Sequence, residues 1–281
     1  VRKNGRNKLT TMAYRQLFVI LLISLAGCFA RKCGKAHLEK VIGGSPADKF
    51  LFPWAVYIQI NYIYYLSGCG ATIISKHWVL TAAHCVYNGP DSVTILAGSY
   101  SLHDVEEGEV EREVPGSSII IHEDYDPIEL VNDIALIYVE EPFEWTDHIS
   151  RACLLPEEAD LHIANKTVEL YGWGLIDNME HTDIPYYGKM KGYDRKLCGK
   201  TWGKLLDERF MCTMGDSKQC SGDSGSGLMY KDESGVYNVV GAISYSRKNS
   251  QGQCYLGHPA VQTYVPTFRK WIEEKTKEKF P

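Results

Sequence analysis

An all-β fold is predicted by three features of this sequence: short runs of β-branched and aromatic residues, turn residues between them at short intervals, and one convincing helical pattern confined to the last segment. The runs in chain order are Trp54–Ile60 (WAVYIQI), Gly70–Ser75 (GATIIS), Trp78–Leu80 (WVL), Val93–Leu96 (VTIL), Ser117–Ile121 (SSIII), Ile134–Val139 (IALIYV), Thr167–Tyr171 (TVELY) and Tyr237–Ser244 (YNVVGAIS). Gly, Asn, Asp or Pro separates all but the second and third of them. The helix is expected over Pro266–Phe280, where Phe268, Trp271 and Ile272 line one face. Lysines crowd its end, where cations suit the negative pole of the helix dipole. No internal repeat is legible.

With 281 residues, 44% hydrophobic and 23% charged, the chain can bury a sizeable core. A net charge of −5 and the lack of a basic stripe before the C-terminal helix argue against a nucleic-acid partner. Translation is expected to begin at Met12, leaving residues 1–11 as leader or appended sequence. Arg15, the apolar run Leu17–Ala26 and the exit Cys28-Phe29-Ala30 describe a signal peptide over 12–30. The run is too short to span a bilayer, which takes roughly 20 apolar residues. A secreted protein with no membrane segment is therefore expected. Of nine cysteines, Cys28 falls in the signal peptide, so the others meet an oxidising compartment.

Three segments carry chemistry. In Cys220-Ser221-Gly222-Asp223-Ser224-Gly225 a serine sits between glycines, directly after an aspartate. Flanking glycines let backbone N–H groups approach a reacting carbonyl. A serine hydroxyl becomes a competent nucleophile only with a base to take its proton and donors to receive the oxyanion. Thr81-Ala82-Ala83-His84-Cys85 offers the base, and Asn132-Asp133-Ile134-Ala135-Leu136 offers a carboxylate among apolar residues. Taken singly, these are an ordinary turn, a packed histidine and a strand end. Together they follow the order His, Asp, Ser, one of three chain orders known for such triads. Lys40-Val41-Ile42-Gly43-Gly44 stands ahead of them.

On these segments the chain resembles the trypsin/chymotrypsin family of serine proteases from about Val41 to Lys279. The resemblance implies two six-stranded antiparallel β-barrels, about Val41–Glu144 and Trp145–Val265, followed by the C-terminal helix. Residues 31–40 become an activation peptide and 41–281 the protease domain. Ser224 is the implied nucleophile, His84 the general base and Asp133 its orienting carboxylate. Ser244 would buttress Asp133, and the N–H groups of Gly222 and Ser224 would form the oxyanion hole. Cleavage after Lys40 by a trypsin-like protease would free the Val41 amino group to pair with Asp223. The implied disulfides are Cys69–Cys85, Cys198–Cys212, Cys220–Cys254 and the tether Cys33–Cys153. A further family bridge is absent from both ends, where Val168 and Tyr230 stand instead.

Specificity departs from the trypsin pattern. Lys218 occupies the pocket base, followed by Gln219. Ser246 and Ala260 replace the two wall glycines, Gln262 replaces a tyrosine, and Ser226-Gly227 follows the nucleophile's glycine. A basic P1 residue is not expected; an acidic or small one is. Family members bind calcium in the loop matching the acidic run Asp104–Glu113, with Glu106 and Glu109 at two ligand positions. Ser99 stands where the first carboxylate ligand would be, and a solvated acidic loop is the competing reading. The triad itself requires no cofactor. Asn165-Lys166-Thr167 is a glycosylation sequon. Expected partners are protein or peptide substrates, the activating protease and protein inhibitors of the monomer. Two rival readings are a catalytically impaired homologue acting as a binding or decoy protein, and a disulfide-rich binding domain unrelated to proteolysis.

Overall fold

The computed structural model describes residues 33–36, 45–156, 159, 161–175, 182–215, 217, 219–251 and 254–281. Lys40, Val41 and Lys218 lie outside them, as do the expected leader and signal peptide. The short strand β1 (Ser45–Pro46) joins the second of two sheets. The first sheet contains β2 (Ala55–Asn61), β3 (Leu66–Ile73), β4 (Trp78–Thr81), β5 (Ser92–Ala97), β6 (Val110–Pro115), β7 (Ile119–Ile121) and β8 (Ala135–Tyr138), in the order β6-β5-β2-β3-β4-β8-β7. Along β2, Val56, Ile58 and Ile60 are fully buried and the residues between them half-buried, the two-residue period of a pleated strand with one face on the core. β6 and β7 stand at opposite edges of the sheet, yet only the turn Gly116–Ser118 separates them in the chain. One bent strand therefore closes the first barrel.

The second sheet contains β9 (Cys153–Leu154), β10 (Thr167–Gly172), β11 (Tyr186–Tyr193), β12 (Phe210–Met214), β13 (Gly227–Lys231), β14 (Tyr237–Tyr245) and β15 (Ala260–Tyr264). Its order is β1-β11-β10-β13-β14-β15-β12, and β11 also pairs with β12. That second pairing closes a ring of six strands, with β1 and β9 as two-residue additions. The two expected six-stranded barrels are present, the sixth strand of the first being split into β6 and β7. Phe52 lies 5.0 to 6.2 Å, ring to ring, from Tyr237, Tyr171 and Tyr187, so an aromatic cluster joins the barrels across their junction.

All eight expected runs are strands, but three expectations need correction. The acidic run is not all loop: Val110–Glu113 continues as β6, where pairing with β5 leaves Glu111 and Glu113 pointing outward. The C-terminal helix is shorter than expected. A 3-10 turn over Val265–Phe268 precedes it, and Lys277 adopts a left-handed conformation (φ 58°) whose N–H bonds the Glu273 carbonyl and ends it at Thr276. It is also not the only helix. α1 (Ala83–Val86) follows β4, and α2 (Arg195–Trp202) starts where Asp194 accepts from the Leu197 N–H at 2.8 Å. The terminal helix, α3 (Arg269–Thr276), packs Ile272 into the core. The four disulfides pair the cysteines as the resemblance implies. Asn165 lies exposed on a turn before β10.

Candidate active site

His84 sits one turn past the end of β4, on α1. Ala82 and Ala83 are fully buried, and the Cys69–Cys85 bridge ties α1 to β3, so the imidazole has little freedom to drift. Its backbone N–H donates to Asp133 Oδ1 at 2.8 Å, and its Nδ1 meets Asp133 Oδ2 at 2.8 Å. A carboxylate only accepts, so Nδ1 carries a proton, and in the neutral imidazole Nε2 is then the acceptor. Nε2 lies 3.8 Å from the Cys85 sulfur, which as a disulfide sulfur has no proton to donate.

Asp133 is wholly buried, and a buried carboxylate needs hydrogen bonds to remain charged. Ser244 Oγ supplies a further donor to Oδ2. Thr263 Oγ1 donates to the Asp133 carbonyl at 2.7 Å, and Asn132, at φ 55°, is held by its side-chain bond to the Asp124 carbonyl at 2.7 Å. Ser244, expected from the resemblance to buttress Asp133, thus turns its hydroxyl to that carboxylate.

Ser224 is half-buried on a double turn made by Asp223 N–H to the Cys220 carbonyl and Ser226 N–H to the Asp223 carbonyl, each 3.0 Å. These turns need left-handed backbone at Gly222 (φ 97°) and Gly225 (φ 77°), which only glycine adopts without strain. A Cβ at Gly225 would overlap Thr81 Oγ1 and the Gly70 carbonyl and approach the Ala82 nitrogen. The residue after the serine is thus pressed onto the strand end leading into His84. Gly70 N–H bonds the Ser224 carbonyl at 2.8 Å and fastens the loop to β3. Among the described residues no hydrogen bond joins Ser224 Oγ to His84, and neither the Gly222 nor the Ser224 N–H is used by another group.

Asp223 is buried and accepts N–H groups from Gly174 at 2.9 Å and Cys220 at 2.8 Å. Desolvation outweighs those bonds and pushes its carboxyl up to about 6. Among the described residues no cation pairs with it. Side chains at Gly172 or Gly174 would strike this carboxylate, so both glycines make its room. Ser226 fits for a related reason: its hydroxyl fills the space opposite Gly70 that any Cβ there would claim. Sequence reasoning passed over Gly70, Gly172, Gly174 and Thr263; paired glycines flanking Cys69 and Trp173 were a legible sign of close backbone approach.

Gln219, Ser246 and Ala260 come together, with Thr213, Ser217 and His258, around a cavity of only about 20 Å³. Gln262 Nε2 donates to Thr213 Oγ1 at 2.9 Å and to Gln219 Oε1 at 2.8 Å, forming a buried amide pair beside this cavity. Among the described residues Gln262 Oε1 has no hydrogen-bond partner. A larger concavity of about 200 Å³, lined in part by His162, Tyr193 and Arg195, contains none of the residues singled out for catalysis. Cys69, His84 and Cys85 cluster closely enough for a metal, but the bonded sulfurs are not thiolates and offer no metal site. Among the described residues, no helix is long and apolar enough to cross a membrane.

Residues 41–272 match the family model described as Trypsin. The chain is 32% identical over 271 residues to mouse chymotrypsin-C, covering 92% of this chain and 98% of that protein. It is 31% identical over 262 residues to rat chymotrypsin-C, covering 90% and 96%. It is also 33% identical over 255 residues to mouse transmembrane protease serine 11C; that alignment covers 87% of this chain but only 56% of that longer protein.

Proposed function

The chain belongs to the trypsin family of serine-type endopeptidases, which act on protein substrates, and on that premise we propose that Ser224, His84 and Asp133 cleave peptide bonds through an acyl-enzyme. Ser224 Oγ attacks the scissile carbonyl carbon as its proton passes to His84 Nε2. The tetrahedral oxyanion is received by the N–H groups of Gly222 and Ser224. Collapse expels the amine, protonated by His84, and leaves acyl-Ser224. Water, deprotonated by the same Nε2, then releases the acid. Asp133 holds the tautomer and balances the imidazolium. The observation that carries this reading is His84 Nδ1–H directed at the buried, hydrogen-bonded Asp133 carboxylate. Ser224 must turn toward Nε2, and hydrogen bonds of this kind tighten in the substrate complex. No observation favours a decoy.

Two further features belong to the proposal. Activity awaits cleavage between Lys40 and Val41 by a trypsin-like protease, the new amine becoming the cation that buried Asp223 lacks. The P1 residue is small or acidic and not basic: Ser246 and Ala260 narrow the cavity, and Lys218 brings a positive charge. The four disulfides support work in an oxidising, extracellular compartment. Labelling with a fluorophosphonate tests the central claim. The chain cut at Lys40 should be labelled on Ser224 and the uncut chain should not; an unlabelled cut chain would overturn the assignment.

A further inference from the structure

Calcium is implied for the loop from Ser99 to Glu109, but the oxygens that would hold it are already engaged. Lys49 Nζ donates to both carboxylate oxygens of Glu106, at 3.0 and 3.1 Å. Glu109 Oε2 accepts the Glu106 N–H at 3.2 Å. The Glu107 carbonyl faces His148 Nδ1 at 3.0 Å, which must then carry the proton. Ser99, where a carboxylate ligand is wanted, is 4% exposed and spends its hydroxyl on the Ser101 carbonyl at 2.7 Å. Calcium takes six to eight oxygens at about 2.3–2.6 Å. Among the described residues no group of three acidic or histidine ligands converges in this loop. The residues do not fit the ion.

Three contacts run instead from the turn Ala47–Phe50 to this loop. The Ala47 carbonyl accepts Tyr100 Oη at 2.9 Å. Phe50 stacks on His148 with ring centroids 3.7 Å apart, and His148 in turn holds the Glu107 carbonyl. Between them Lys49 places its ammonium on Glu106 and 5.1 Å from the centre of the Tyr100 ring. A positive charge seated on Glu106 offsets negative charge in this acidic loop, as a metal would otherwise do.

We propose that Lys49 is the built-in cation of this loop: its ammonium takes the charge-balancing position of a divalent metal, so the segment from Ser99 to Glu109 closes without calcium. The inference is independent of the catalytic reading, and its test reads no activity. The full-length uncut chain is melted in EDTA and in 5 mM calcium chloride, alongside Lys49→Met, Glu106→Gln and the double variant, at low and high salt. A calcium site with a dissociation constant of about 0.1 mM would shift the folding equilibrium roughly 50-fold at 5 mM, or several degrees in a domain of this size. The wild type should show no such shift, and terbium should give no saturable luminescence sensitised by Tyr100. Each single variant should melt about 1–3 °C lower at low salt, with the difference shrinking in high salt and the double variant no worse than either single one. Calcium stabilisation of the wild type by several degrees, or a Lys49→Met chain that melts like the wild type at low salt, would overturn the proposal.

Discussion

Lowering the pH from 7 to about 4 should stabilise the uncut chain through Asp223 and should not do so once the chain is cut after Lys40. In the described structure this carboxylate has two backbone N–H partners and no cation, and burial raises it from 3.8 to about 6. A carboxyl raised on folding binds its proton more tightly in the native state. Its stabilising contribution is therefore complete below about 4 and is lost as pH rises through about 6. The gap of roughly two units corresponds to about 3 kcal/mol. If the freed Val41 amine pairs with the carboxylate, the folded value falls and the sign reverses, because an ion pair is strengthened by ionisation. Urea unfolding of Ser224→Ala protein, cut and uncut, at pH 4.5 and 7 isolates the effect, and uncut Asp223→Asn subtracts every other titrating group. The uncut chain should lose stability between pH 4.5 and 7 relative to Asp223→Asn, and the cut chain should not. Parallel profiles for cut and uncut protein would refute both the isolated carboxylate and the proposed pairing.

Ser224→Ala or His84→Ala should abolish peptide hydrolysis while folding survives, with losses on the scale of the roughly 10⁶ known for the equivalent changes in subtilisin; near-normal turnover by pure Ser224→Ala protein would sink the triad. On matched substrates, Arg or Lys at P1 should be disfavoured by about 10³, the cost of a second cation about 4 Å from Lys218 at an effective dielectric near 20; fast cleavage after Arg would show that Lys218 does not face the pocket. N-terminal sequencing of active material should begin at Val41 and also recover the segment holding Cys33, retained through Cys153 until reduction; full activity of uncleaved Lys40→Gln protein would remove the switch. Gly225→Ala should lower both stability and activity sharply, since it demands φ 77° of an alanine and drives a methyl into Thr81 and Gly70; a fully active variant with unchanged melting would show that the loop can move away from β4.

The candidate site was legible because its chemistry restricts residue types within short segments: glycines around Ser224, a buried-side carboxylate at Asp133, and a histidine before a bridged cysteine. The eight strand runs were legible because β-branched residues concentrate there. Strands such as β11 (YYGKMKGY) and β12 (FMCTM) were not: glycine and lysine interrupt the local signal in the first, the second is short with a single β-branched residue, and pairing to distant strands decides both. The helix α2 (RKLCGKTW) carries a glycine and a weak apolar face; the Asp194 cap and the Cys198–Cys212 bridge settle it.

By itself the sequence determined the all-β class and which side chains could serve as nucleophile, base and carboxylate, because propensity and reactivity are properties of residues and their near neighbours. Tertiary structure alone decided that Thr263 serves Asp133, that Asp223 is stripped of water with two amides for company, and that Lys49 reaches Glu106. Those outcomes depend on desolvation and on contacts between segments far apart in the chain, which no local window contains.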